Sequence, residues 1–201
     1  MLSRQGDDRG QTIPIYVVVV GSLLFLAFAY FAFAQAAVAR NGAQSAADAS
    51  ALAAAQEVRN GELMTDFVGS LDNGDEWVQW LLLEKLPQGM GEGAAAQLAS
   101  DNKSTLNVLA PTTVKNYPAF EASITTNYTA GKSVLPVTST SHAKAHAVAV
   151  IEPRCSVTPG GATDFIEFDC DGGRHWKIDP KHLDDPALPE AKDLFSVHLA
   201  E

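Results

Sequence analysis

The sequence predicts an α+β protein: one N-terminal transmembrane helix continues into an alanine-rich helix and then an extracytoplasmic α+β domain with one disulfide. Three observations predict it. A charge-free apolar run lies between Arg9 and Arg40, a segment of small residues follows directly, and the C-terminal region passes from helical spacing to strand alternation. The expected boundaries are a cytoplasmic N-terminus at 1–12, a membrane helix at 13–34, a juxtamembrane helix at 35–60 and the α+β domain at 61–201.

The apolar run carries the membrane assignment. Ile13 to Ala34 contains only apolar or small residues, with Thr12 just outside. At 1.5 Å per residue these roughly 22 positions reach about 33 Å, enough to cross a hydrocarbon core of about 30 Å. A buried helix of a soluble domain is normally shorter. Pro14 falls in the first turn, where no intrahelical N–H is lost.

Topology follows from the short basic flanks. Arg4 and Arg9 precede the run and Arg40 follows it, which favours a cytoplasmic N-terminus and an exported C-terminal domain. Two processing routes compete with an intact anchor. "AFAQ", Ala32 to Gln35, has the small-x-small pattern of a leader-peptidase site, although the run is longer than a signal-peptide core of about 7–15 residues. Gly10 stands before the run as in type IV pilin precursors, but Ile15 occupies the position of their glutamate.

Charge is uneven. Residues 1–59 balance, with Arg4, Arg9, Arg40 and Arg59 against Asp7, Asp8, Asp48 and Glu57, so the net charge of −10 belongs to the remainder. An acidic domain does not suit nucleic acid, which demands a basic footprint. It is also repelled by anionic headgroups, which fits a soluble domain held away from the bilayer.

From Gln35 the chain reads "QAAVARNGAQSAADASALAAAQEVRN". Alanine is the best helix former, and Asn60-Gly61 reads as the helix stop. Ala39, Ala43, Ala47, Ala51 and Ala55 form an i, i+4 ridge of methyl groups. Such a ridge permits close approach of helices, as small-xxx-small packing does in membranes. Each methyl buries little area, so stacking on another slender helix gains more than lying on an ordinary core. An exposed stalk ordered by propensity alone is equally compatible. Asn41-Gly42 is a turn signal that could kink the rod.

Arg9-Gly10 before a single membrane helix, followed by Gln44, Ala46, Ala47, Asp48, Ala49, Ala51, Leu52, Ala53, Ala54 and Ala55 in order, resembles the N-terminal region of TadE/TadG-like Flp pilus-assembly proteins. The resemblance covers about residues 9–57. It implies a non-enzymatic, single-pass component of a tight-adherence pilus or related secretion apparatus, whose partners are the membrane and other pilus-assembly or pseudopilin-like membrane proteins. On this view the alanine ridge docks neighbouring subunits, giving a homo- or hetero-oligomer. An exported adhesin or envelope-binding module, and a secreted enzyme released by cleavage after Ala34, are the competing classes.

In the C-terminal region "DEWVQWLLLEKL", Asp75 to Leu86, places Trp77, Trp80, Leu81, Leu83 and Leu86 at helical spacing, and the tryptophans read as core. "EGAAAQLASDN" reads as a short helix. Beyond Pro118, "FEASITTNYTA" and "SHAKAHAVAVIE" alternate with period two, and "DFIEFDCDGG" adds a strand and turn. His142, Lys144 and His146 share one strand face, where Lys144 would repel a bound cation. The tail closes with a short strand.

Cys155 and Cys170 suit one disulfide in an oxidising compartment, stapling neighbouring strands, with two reduced buried thiols as the alternative. Two cysteines fall short of a zinc shell. Asp169 and Asp171 lack the regular spacing of a calcium loop. No nucleophile motif or phosphate loop accompanies the five histidines, so no catalytic, cofactor or metal residue is assigned.

Overall fold

A computed structural model describes residues 12–129, 131, 140–157, 165–183 and 188–200. Arg4, Arg9 and Gly10, on which topology and one processing route depend, lie outside the described residues.

A single helix, α1 (Thr12–Val58), runs for 47 residues. Alanine propensity carries it through Asn41-Gly42 without a break. Gly42 serves a different purpose: a β-carbon there would fall 2.1 Å from the Tyr128 hydroxyl oxygen, so the missing side chain admits the tyrosine. Asn60-Gly61 does not stop the helix either. The chain passes through one π-helical turn, Arg59–Leu63, directly into α2 (Met64–Gly69). Leu63 and Phe67 are fully buried, and holding both in the core outweighs the local stop signal.

The helix expected over Asp75–Leu86 is shorter, α3 (Glu76–Leu81). Leu83 has φ +56°, and the chain turns back so that Lys85 pairs with Glu76 and lies 5.5 Å from the Trp80 ring centre. Trp77 is buried against Phe168, with ring centres 5.9 Å apart, whereas Trp80 is only half-buried. Next comes α4 (Glu92–Asp101), where the sequence places it.

Among the described residues seven strands follow: β1 (Ser104–Val114), β2 (Tyr117–Thr129), β3 (His142–Pro153), β4 (Cys155–Ser156), β5 (Ile166–Cys170), β6 (Arg174–Ile178) and, after the short α5 (Ala191–Leu194), β7 (Phe195–Leu199). The main sheet has the order β1-β2-β3-β7, all antiparallel. Strand β1 lacks the alternation that marks the other long strands in the sequence. It is an edge strand, where Pro111 is tolerated, and a register shift between Leu106 and Val108 breaks its alternation.

Phe120, Ala122 and Ile124 of β2 and Ala147, Ala149 and Ile151 of β3 are buried in the core, while His142, Lys144 and His146 are exposed on alternate positions. The C-terminal half of α1 lies against β2, β3 and α4. The second sheet, β4-β5-β6, is joined across its first strand pair by the Cys155–Cys170 disulfide, the two cysteines facing each other in register.

Candidate assembly surface

Helix α1 has two chemically distinct halves. From Ile13 to Val38 its large apolar side chains are exposed, among them Phe25, Phe28, Phe31 and Val38. From Ala39 onward one face is closed: Ala39, Ala43, Ala46, Ala47, Ala51, Ala54, Ala55 and Val58 are buried, together with Ser50, whose hydroxyl donates to the Ala46 carbonyl at 2.7 Å. This is the one helix among the described residues that is long and apolar enough to cross a membrane.

The alanine ridge packs as small residues should, but its occupant differs from the one expected. Ala43, Ala47, Ala51 and Ala55 have no solvent-accessible surface, with Ala39 nearly closed, and the chain's own sheet and α4 lie over that side of the helix. The ridge is therefore filled from within the chain instead of awaiting a neighbouring subunit, and the stalk reading fails over the same stretch. The slender helix that alanine packing favours is α4, whose Ala95 and Ala99 are fully buried. Likewise, the boundary expected near residue 60 is not a structural one, since the second half of α1 belongs to the core of the C-terminal domain. A run of methyl groups shows that something approaches closely; it does not show what.

Two polar members of the signature segment border this seam. Gln44 donates its amide to Asp48 Oδ1 at 2.8 Å and to the His146 carbonyl at 3.3 Å, so one side chain links helix and sheet. A concavity of about 430 Å³ opens beside them, with His146, Ala147 and Leu199 in its wall. At the far end of the helix the Glu62 carboxylate accepts the backbone N–H groups of Gln88, at 2.6 Å, and of Gly89. This ties the π turn to the segment that leads into α4.

Electrostatic features elsewhere are local. Burial, reinforced by nearby Glu62 and opposed by Lys85, raises the Asp66 carboxyl above its ordinary value. The hydrogen bond and charge of Lys177 lower that of Glu167, its registered cross-strand partner at 2.8 Å. His182 and the Lys181 N–H lower Asp179, and Glu190 raises Lys192. Asp169 bonds His175 and Asp171 pairs with Arg154, so both aspartates near Cys170 have protein partners. Among the described residues no three His, Cys, Asp or Glu side chains gather as metal ligands.

Sequence reasoning identified the disulfide, left the ridge's packing open, and missed Gly91, which makes the ridge–α4 contact possible. The signal was present in "GMGEGAAAQL": a glycine immediately before an alanine-rich helix marks a close backbone approach. No curated protein and no solved structure matches the chain. The family match and the membrane-capable helix together support a pilus-related membrane protein. Residues 10–57, a stretch that ends one residue before α1 does, match the putative Flp pilus-assembly TadE/G-like family, so the similarity covers the long helix and none of the strands that follow.

Proposed function

We propose that this protein is a non-enzymatic, single-pass component of a Flp/tight-adherence pilus or a related secretion apparatus. Its N-terminus is cytoplasmic and its sheet domain extracytoplasmic. The observation that carries the reading is the division of α1: its first half projects with its apolar side chains bare, while its second half is built into the domain. Bare apolar helix needs lipid or other apolar helices around it. The family match over this helix favours a pilus-assembly setting for it. The disulfide supports an oxidising location for the domain.

On this reading the work is packing and presentation. The projecting half makes the contacts with the membrane and with partner subunits, and the domain is displayed at its end. A photo-crosslinking side chain placed at Phe28 or Val38 in cells assembling pili tests it. Crosslinks to other pilus-assembly membrane proteins are expected. Crosslinks confined to lipid, with unchanged pilus number when the chain is deleted, would overturn the assignment.

A further inference from the structure

The apolar run and the folded domain meet without a spacer. Centred between residues 23 and 24, a hydrocarbon core of about 30 Å extends from about residue 13 to residue 33 at 1.5 Å per residue. Near the end of that stretch Tyr30 and Phe33 are 78% and 75% exposed, but Ala32 between them is only 6% exposed. Ala32, Gln35 and Ala39 share a helix face, being spaced i, i+3 and i+7. It is this side that the β2–β3 hairpin reaches, with Gly131 against the Gln35 amide and Tyr128 against Gly42. Gly131, beside residue 35, therefore lies at the level of the lipid headgroups.

The charges are arranged to match. Between residues 12 and 47, Arg40 is the only Asp, Glu, Lys or Arg. The described hairpin residues from Ile124 to Ala147 carry Lys144, His142 and His146 and no carboxylate. Lys103 belongs to the same end, since its carbonyl accepts the Asn127 N–H at 2.8 Å; Asp101 is the acid beside it. Glu57, Glu62, Asp66 and Glu92, with Arg59 and Lys85 near them, belong to the opposite end, where Gly91 meets Ala54. The net charge of −10 therefore does not describe the membrane-facing end.

We infer that the face of the domain around Gly131 is a lipid-contacting surface, resting on phospholipid headgroups with Arg40, Lys103 and Lys144 toward the phosphates. Cationic side chains near an anionic leaflet are attracted within about a Debye length, roughly 8 Å at physiological ionic strength. The unbroken α1 fixes the pose, so the domain stands on the membrane instead of swinging from a tether. The inference rests on the reading that residues 13–34 span the bilayer.

The test uses the full chain in vesicles of phosphatidylcholine and phosphatidylglycerol containing a lipid with a nitroxide on its headgroup. Both native cysteines are consumed in the disulfide, so a fluorophore can be attached to one added cysteine. Ser141→Cys and Asn127→Cys label this face, and Thr112→Cys labels the far part of β1, opposite Ala119. Quenching several-fold stronger at 141 and 127 than at 112 is expected. Equal quenching at all three, with the protein retained after alkaline carbonate extraction, overturns the headgroup contact while leaving the span intact. Release by carbonate overturns the span itself.

Discussion

Gly91 lies directly against the backbone of Ala54: a β-carbon on Gly91 would stand 2.5 Å from the Ala54 carbonyl oxygen and 2.8 Å from its Cα. Gly91 also has φ +62°, a left-handed conformation in which side chains are strained. Two independent costs therefore fall on any substitution, and neither can be relieved by rotating a flexible side chain. Gly91→Ala is expected to destabilise the domain by at least about 1–3 kcal/mol, the scale of such strain and of overpacking. Chemical denaturation of the parent and variant in detergent checks this; an unchanged midpoint would mean α4 does not close on α1 as described.

The same geometry changes what substitutions along the ridge should do. Ala47→Leu or Ala51→Leu inserts three extra carbons at a position with no accessible surface, so each should destabilise the fold by about 1–3 kcal/mol. Ala37→Leu, on the exposed part of α1, should leave domain stability unchanged. Thermal unfolding by near-ultraviolet circular dichroism separates the two groups. A ridge reserved for neighbouring subunits would show the reverse: normal unfolding of the isolated chain and loss of assembly only.

The contrast shows what was legible in the sequence. The apolar run, the alanine helix, α4, β2, β3 and the disulfide pair were readable, because each is fixed by composition, local period or a residue type with few roles. Strand β1 was not, because Pro111 and the irregularity at Leu106–Val108 remove the alternation that identifies a strand. The helix continues past Asn60-Gly61 and α3 ends early because tertiary burial of Leu63, Phe67 and Leu83 overrides local preference. The occupant of the alanine ridge was unreadable for a different reason. Close packing leaves the same small-residue imprint whether the partner is a neighbouring molecule or the same chain's own sheet.

Cys155 and Cys170 face each other on adjacent strands of a three-stranded sheet whose strands have only two to five residues. So small a sheet has little cohesion of its own. With a sequence separation of 15 between the cysteines, the cross-link should stabilise the domain by about 3 kcal/mol in the chain-entropy picture. Paired Cys→Ser substitution, or mild reduction, is expected to lower the unfolding midpoint. It should also speed amide exchange in β5 and β6 ahead of β2 and β3. Uniform exchange across both sheets would show that the disulfide supports the whole domain and not this sheet.

Glu62 offers a test of how the π turn is held. Its carboxylate accepts two backbone N–H groups, from Gln88 and Gly89. Hydrogen bonds to a charged acceptor contribute about 1.5–3 kcal/mol each before allowance for exposure, and this site is partly open. Glu62→Ala should therefore cost about 1–3 kcal/mol in total, and Glu62→Gln much of that, since its single amide oxygen can serve only one of the two N–H groups. Hydrogen exchange at Gln88 and Gly89 reports the contact directly. Protection there that survives Glu62→Ala would assign their order to packing against Val58 instead.

Asp66 and Glu167 should give opposite pH signatures. Burial, helped by Glu62, raises the folded-state pKa of Asp66. Folding therefore disfavours its ionised form: the cost is absent below the unfolded-state pKa, grows as pH rises through it, and is complete above the raised folded value. Asp66→Asn should be more stable than the parent near pH 7 and converge with it in acid. Glu167 is the reverse case, its folded-state pKa lowered first by the hydrogen bond from Lys177. The stability it contributes is present above its unfolded value and disappears as pH falls through the lowered folded one, so Glu167→Gln should be the less stable protein near pH 7 and match the parent in acid. Because Glu167 is on the surface, its effect should also shrink with added salt, while that of Asp66, which stems from burial, should persist. Unfolding midpoints of the three proteins from about pH 3 to pH 7, at low and high salt, decide between these signs.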